Sequence, residues 1–344
     1  MSKPLADQSP NKIIEILGKA AKKAAFTLAQ TPVEIIDKTL TTLSTLLLER
    51  SDDILAANKI DVDNARMNGL NDALIDRLAL DKARISAMAK GIETVRDLND
   101  PCGKILWTQN RPNGLKIERI SCPIGVLGMI YESRPNVTID ASILSLKSHN
   151  AVILRGGSES LNSALALHKV IEDALTTNGL PRSCVSIIPL ADRSLVSALL
   201  QADKYIDVMI PRGGKGLIER VMNEARMPVF SHLEGLCHIY IDKNVDEKIA
   251  INVPLNAKMR RTGICGAMET LLLDSALDRG LAAKIIKNIL DTGCLVVGDA
   301  DVQALDERIG AATEEDWHTE YLDAKLSCRM INGVEEAVAF INTN

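Results

Sequence analysis

The 344-residue chain predicts a doubly wound α/β protein in two lobes, and three features of the sequence lead there. From Ile124 onward, continuous apolar runs suited to buried parallel strands alternate with helical stretches of roughly a dozen residues. A second alternation of the same kind begins near Leu236. Ahead of both, residues 11–95 carry apolar side chains at the spacing of consecutive amphipathic helices.

In chain order, the helical region opens with Ile13, Ile14, Ile16 and Leu17, followed by Ala20, Ala21, Ala24 and Ala25. Thr31-Pro32-Val33-Glu34 reads as a helix start, with Thr31 as N-cap, Pro32 in the first turn and Glu34 reaching back. Asn110 to Gly114 is a turn between KILWTQ and LKIERIS, so residues 104–121 are predicted to form a β-hairpin. VLGMIYE, AVILR, VSIIPL and IDVMI are the next strands, with helices starting at Asp140, Ser158, Ser194 and Lys215. LCHIYID, METLLLD and CLVVGD are strands of the second lobe, and the lobes divide near Arg226 to Ser231. Neither a solenoid repeat nor a low-complexity linker is present.

Hydrophobic residues at 46% and charged residues at 25% fit a globular chain long enough for two cores. Three Phe, two Trp and four Tyr are too few to supply stacking platforms for single-stranded nucleic acid. The net charge of -5, with its basic residues scattered, argues against a phosphate-backbone partner. A few local Arg or Lys residues could still hold a small anion. No secretory leader and no apolar run long enough to span a membrane can be read, so a cytoplasmic protein is expected. Seven cysteines without paired spacing fit free thiols in a reducing compartment. His232 and His238 lack the spacing of a metal-ligand set, so no metal is expected.

Doubly wound sheets bind ligands at the C-terminal ends of their strands, and three loops fall there. They are Glu132-Ser133-Arg134-Pro135-Asn136, Arg155-Gly156-Gly157-Ser158-Glu159, and Pro211-Arg212-Gly213-Gly214-Lys215-Gly216. The last two join paired glycines to a cation and then enter a helix, a place whose N–H groups and dipole favour phosphate. None is the strict G-x-G-x-x-G fingerprint, and plain tight turns at Gly156-Gly157 and Gly213-Gly214 are the alternative. A fourth segment, Arg260-Arg261-Thr262-Gly263-Ile264-Cys265-Gly266-Ala267, puts a thiol among glycines after two arginines. Such surroundings favour the reactive thiolate. Cys184, Cys237 and Cys294 sit in apolar strands and read as buried and inert.

The runs PIGVLGMIYESRPNVT, LRGGSES, IPRGGKGLI, HLEGLCHIYID and GICGAMETLLL resemble, in order and over essentially the whole chain, successive blocks of the γ-glutamyl phosphate reductase family. That family is a branch of the aldehyde dehydrogenase superfamily. The resemblance implies an aldehyde dehydrogenase-like fold. Residues 1–103 and 122–228 would bind NADPH, 104–121 would be an oligomerisation arm, and 229–344 would form the catalytic domain. It also implies reduction of glutamyl 5-phosphate by NADPH to glutamate 5-semialdehyde, within proline biosynthesis, by a homo-oligomer with glutamate 5-kinase as a possible partner.

On that reading Cys265 is the nucleophile, and Asn136 with the Cys265 backbone N–H stabilises the oxyanions. Arg155, Gly156, Gly157, Ser158, Glu159, Gly213 and Gly214 would hold the cofactor. Arg155 suits a 2′-phosphate, whereas Glu159, an acid near the ribose, favours NAD. Arg134, Arg260 and Arg261 are assigned to the acyl phosphate or α-carboxylate, with surface salt bridges as the alternative. Glu234 lies where hydrolytic relatives place a general base, which this reaction does not require. Members of the family continue several dozen residues past the point corresponding to Asn344. A missing C-terminal tail, impaired oligomer contacts and lower activity are therefore expected. A relative that takes acyl-CoA or free aldehyde, and an inactive fragment, are the rival readings.

Overall fold

The computed structural model describes residues 8–231 and 235–344. They fall into two compact units, one ending at Ser231 and one made of the residues after it.

The first unit opens with five helices, Pro10–Leu28, Val33–Glu49, Ser51–Met67, Asp72–Leu78 and Lys82–Arg96. Two begin on acceptor side chains: Asn71 takes the Leu74 N–H and Asp81 takes the Arg84 N–H, each satisfying a donor that the helix cannot. The expected cap at Thr31 is not formed. The N-cap of the second helix is Pro32, without a side-chain bond, and the Thr31 hydroxyl donates back to the Thr27 carbonyl at 2.9 Å. That backward bond closes the preceding helix, so the hydroxyl is already used.

Strands β1 (Ile105–Asn110) and β2 (Lys116–Ile120) form the hairpin, pairing antiparallel from Ile105 with Ile120 to Asn110 with Lys116. Every residue of both strands is exposed, including Ile105 at 57% and Trp107 at 48%. Beyond it lie β3 (Val126–Tyr131), β4 (Ala151–Arg155), β5 (Val185–Ile187) and β6 (Val208–Arg212). They make one sheet in the order β5-β4-β3-β6, parallel throughout. Its strands are nearly all buried, because helices such as Leu161–Thr177 and Pro10–Leu28 cover it. The helix expected from Asp140 begins earlier, at Asn136. Pro135, the N-cap with φ -57°, already holds the helical φ, so the chain turns from β3 into the helix within a few residues.

The second unit holds β7 (Cys237–Ile241), β8 (Met268–Asp274), β9 (Leu295–Gly298), β10 (Gly310–Ala311) and β11 (Lys325–Ile331). Their order is β10-β9-β11-β8-β7, again parallel throughout. All seven residues of β8 are buried, as expected of a strand flanked on both sides. Helices Glu247–Met259 and Arg279–Leu290 pack around this sheet, with Ile285, Ile286 and Ile289 in its core. No helix among the described residues is long and apolar enough to cross a membrane.

Candidate active site

In the first unit, the C-terminal ends of β3, β4 and β6 converge on a cavity of 510 Å³. Its lining includes Arg155, Gly157, Ser158 and Glu159 from the loop after β4, and also Arg193 and Arg220. Arg155 is only 9% exposed, yet its Nε has no hydrogen-bond partner. Nη1 donates to the Gly156 carbonyl at 2.7 Å. Burial holds this guanidinium below the ordinary arginine range; Glu159 pulls the other way, and Arg193 and Arg220 add to the lowering. A buried donor without an acceptor, beside two further cations, is a place that calls for an anion. Arg193 and Arg220 were not legible in the sequence as cavity residues, because one caps the helix Ser194–Leu200 and the other lies within the helix Lys215–Glu224, and only the fold brings them together.

The two glycine loops are built around carboxylates. Glu159 Oε1 accepts from both the backbone N–H and the hydroxyl of Ser133, each at 2.7 Å. Ser133 has φ +45°, a region that non-glycine residues rarely occupy, so these bonds offset its strain. A Cβ on Gly157 would overlap the Glu159 carboxylate, which accounts for that glycine. A Cβ on Gly156 would press to 3.1 Å against the buried ring of Tyr131. The acid that spoke for NAD is thus engaged with Ser133. At the third loop, Glu132 Oε2 accepts the Gly214 N–H at 2.9 Å, and a Cβ on Gly213 would overlap the same carboxylate. A side chain of the protein therefore already occupies this donor at the start of helix Lys215–Glu224, which weakens the phosphate reading of Gly213-Gly214 relative to that of Arg155.

Asn136 is the first residue of its helix, and its Nδ2 donates to Asp140 at 2.9 Å. One bond uses one of the two amide hydrogens and leaves the second for a ligand. Arg134 lines two neighbouring cavities, of 170 and 310 Å³, and Asn136 lines the larger.

In the second unit, Cys265 lies exposed on a turn closed by the Ala267 N–H on the Ile264 carbonyl at 2.9 Å. Arg260 and Arg261, just ahead of it, are exposed, and no ion pair involves either among the described residues. For these two arginines the surface-salt-bridge alternative finds no partner among the described residues. Gly235 lets the backbone pass close to the Cys265 loop, since a Cβ there would stand 2.8 Å from the Cys265 carbonyl. Cys184 and Cys294 are buried and inert as expected, their thiols pushed by burial up to about 12 and about 11. Cys237 departs from that group. It is half-buried, and its thiol donates to the Cys265 carbonyl at 3.3 Å, because it starts strand β7 beside this loop. Glu320, also half-buried, keeps one carboxylate oxygen enclosed and without a donor. His238 is tied to the Leu236 carbonyl at 2.7 Å. His232 and Glu234 lie outside the described residues. No cluster of possible metal ligands occurs among the described residues.

Two parallel doubly wound units, the first with an anion-seeking cavity at its strand ends and the second with a cysteine on an exposed turn, define the aldehyde dehydrogenase class of fold. The chain belongs to the aldehyde dehydrogenase family, whose model matches residues 6–316, and within it to the γ-glutamyl phosphate reductase branch. It is 49% identical over 328 residues to the γ-glutamyl phosphate reductase of Paramagnetospirillum magneticum, covering 95% of this chain and 78% of that one. The enzyme of the same name from Brucella anthropi is 49% identical over 327 residues, covering 95% and 77%. The crystal structure of γ-glutamyl phosphate reductase from Thermotoga maritima superimposes with a TM-score of 0.88 at 39% identity, covering 96% of this chain and 80% of that one. An acetylating aldehyde dehydrogenase from Geobacillus thermoglucosidasius, 16% identical with a TM-score of 0.61, shares the fold. The chain is accordingly an oxidoreductase of a family that uses NAD(P).

Proposed function

We propose that this chain reduces L-glutamyl 5-phosphate to L-glutamate 5-semialdehyde with NADPH, releasing phosphate through a thioester on Cys265. The observation that carries the reading is the exposed thiol of Cys265, on a glycine-flanked turn, in a chain that matches γ-glutamyl phosphate reductases over 95% of its length. Cys265 thiolate attacks the acyl carbon; the C–S bond forms as the C–O bond to phosphate breaks. NADPH, held by the residues named below, would supply the hydride that reduces the thioester. The resulting thiohemiacetal collapses, its C–S bond breaking to give the aldehyde and the free thiolate. Oxyanions develop in both stages, and the Asn136 amide and the Cys265 N–H are assigned to them, a role in which one donor is worth about 3 kcal/mol. No water needs to attack, so no general base is required at Glu234.

For the cofactor, the residues present fit a phosphorylated ribose. Arg155 has a buried, unsatisfied donor, and Arg193 and Arg220 share its cavity. Gly157 and Ser158 line the same cavity, and Gly156, with Gly213 and Gly214 on the neighbouring turn, is assigned to the cofactor with them. Arg134, Arg260 and Arg261 are assigned to the phosphate and α-carboxylate of the substrate. The hairpin, exposed along both strands, is assigned to pairing with another copy of the chain, since a lone two-stranded ribbon is marginal in water.

The test runs the reaction backward, from glutamate 5-semialdehyde, phosphate and NADP+, followed by NADPH absorbance. Phosphate-dependent turnover is expected. Dependence on coenzyme A in its place would favour the acyl-CoA relative, and NADPH binding without turnover the inactive fragment. Cys265→Ala is expected to lower turnover by on the order of 10³-fold or more while leaving NADPH affinity unchanged.

A further inference from the structure

Lys258 and Glu269 form an ion pair at 2.6 Å, and both side chains are 0% exposed. Their places in the chain are as informative as their burial. Lys258 is the penultimate residue of helix Glu247–Met259, immediately before the loop that carries Cys265. Glu269 is the second residue of β8, immediately after that loop. The pair therefore clasps the two ends of the loop, whose middle is exposed and closed internally by the Ile264–Ala267 turn.

Glu269 has a second partner. While Oε2 meets Lys258, Oε1 accepts the Leu322 N–H at 3.4 Å. Leu322 has φ +53°, and its carbonyl lies 3.5 Å from where a Cβ on Gly263 would be, so the Cys265 loop rests against this backbone. The segment is fixed from its other side as well. The Tyr321 hydroxyl donates to Asp316 at 2.7 Å, Lys325 pairs with the same carboxylate at 3.0 Å, and Lys258 stands 5.9 Å from the Tyr321 ring centroid.

A buried ion pair is weak evidence for stability, because apolar residues of similar volume usually do as well or better. What they cannot do is direct two oxygens at two different partners. We propose that the Lys258–Glu269 pair is a positioning device for Cys265, fixing the nucleophile's loop between the preceding helix, β8 and the 321–322 backbone. This rests on the reading of Cys265 as nucleophile, and the test separates the two.

Two double variants are compared with the parent chain: Lys258→Met with Glu269→Leu, which removes both tethers, and Lys258→Met with Glu269→Gln, which keeps an oxygen for the Leu322 N–H. Melting temperature, kcat and KM are measured, together with the rate of alkylation of Cys265 by iodoacetamide, read on its own peptide by mass spectrometry with Cys122 as the exposed control. The expected order of kcat is parent, then Met/Gln, then Met/Leu. The last should fall at least tenfold with KM within about twofold, and Cys265 alkylation should change severalfold while Cys122 does not. Parental kcat and parental Cys265 alkylation in a folded variant would overturn the proposal. Should Met/Leu fail to fold, Met/Gln decides alone by the same criteria. Retention of turnover in Cys265→Ala would instead overturn the nucleophile, whereas the alkylation rates report on the pair irrespective of turnover.

Discussion

Arg155 in the first unit and Lys258 in the second are both buried cations, 9% and 0% exposed. Lys258 meets a carboxylate at 2.6 Å that is itself fully buried, so the charge is compensated within the fold. Arg155 has no such partner: its Nε is unsatisfied, and the nearest acid named beside it, Glu159, is spent on Ser133. Burying a charge without compensation is costly, and a fold that does so at a cavity wall leaves the compensation to a ligand. The paired cation is compensated within the fold, and the unpaired one is what the proposed cofactor reading rests on.

The contrast can be broken most forcefully at Lys258. Glu269→Leu alone leaves that ammonium buried and unpaired, and is expected to destabilise the second unit by about 3–5 kcal/mol, whereas the Met/Leu pair should cost little. Thermal or urea unfolding of the two variants decides it; equal stabilities would show that the pairing is incidental. At Arg155 the expectation is reversed. Arg155→Ala should not lower the melting temperature, but should reduce the preference for NADPH over NADH by a factor of about 10 to 100, the worth of a lost charge-assisted contact. An unchanged ratio of kcat/KM values for the two cofactors would remove Arg155 as the reader. Arg193→Ala should move that ratio in the same direction by less, since Arg193 is exposed.

The smallest effect concerns protons. Burial pushes His168 below the ordinary histidine value of 6.5, with its Nε2 2.9 Å from the Val185 carbonyl. Below that value the unfolded chain binds the proton more readily than the folded one. Stability is therefore complete above about pH 6.5 and is lost as the pH falls toward the depressed folded value. His168→Gln should flatten the acid side of a plot of melting temperature against pH. A slope identical to the parent's would exclude His168 as its source.

Much of this architecture can be read from residue order alone. The switch from helical spacing to alternating strands at Ile124, the second alternation near Leu236 and the NRPNG turn place the hairpin, the first sheet and three strands of the second, while Gly310–Ala311 and the central strand Lys325–Ile331 were not read. The proposed nucleophile is also a local signal, a thiol flanked by glycines. What escaped depends on long-range placement. Arg193 and Arg220 line one cavity only once the helices that carry them are packed. Cys237 looks like a strand cysteine until β7 is set beside the 260–267 loop. Glu269 reads as one polar residue in an apolar strand, and only Lys258 and Leu322 explain it. Thr31 misled for a smaller reason: a hydroxyl between two helices can serve either, and here it serves the first.

If the cavity at Arg155 holds the cofactor as proposed, the Ser133–Glu159 clasp bears on the heat and speed of that binding. A loop whose Ser133 already holds a rare backbone conformation, fixed by two bonds to Glu159, has little conformational freedom left to surrender when a ligand arrives. Calorimetric titration of the parent chain should then return a modest entropic penalty and a heat-capacity change set by buried surface alone. Glu159→Ala would release Ser133, add an ordering step before or after encounter, and slow association more than it hastens departure.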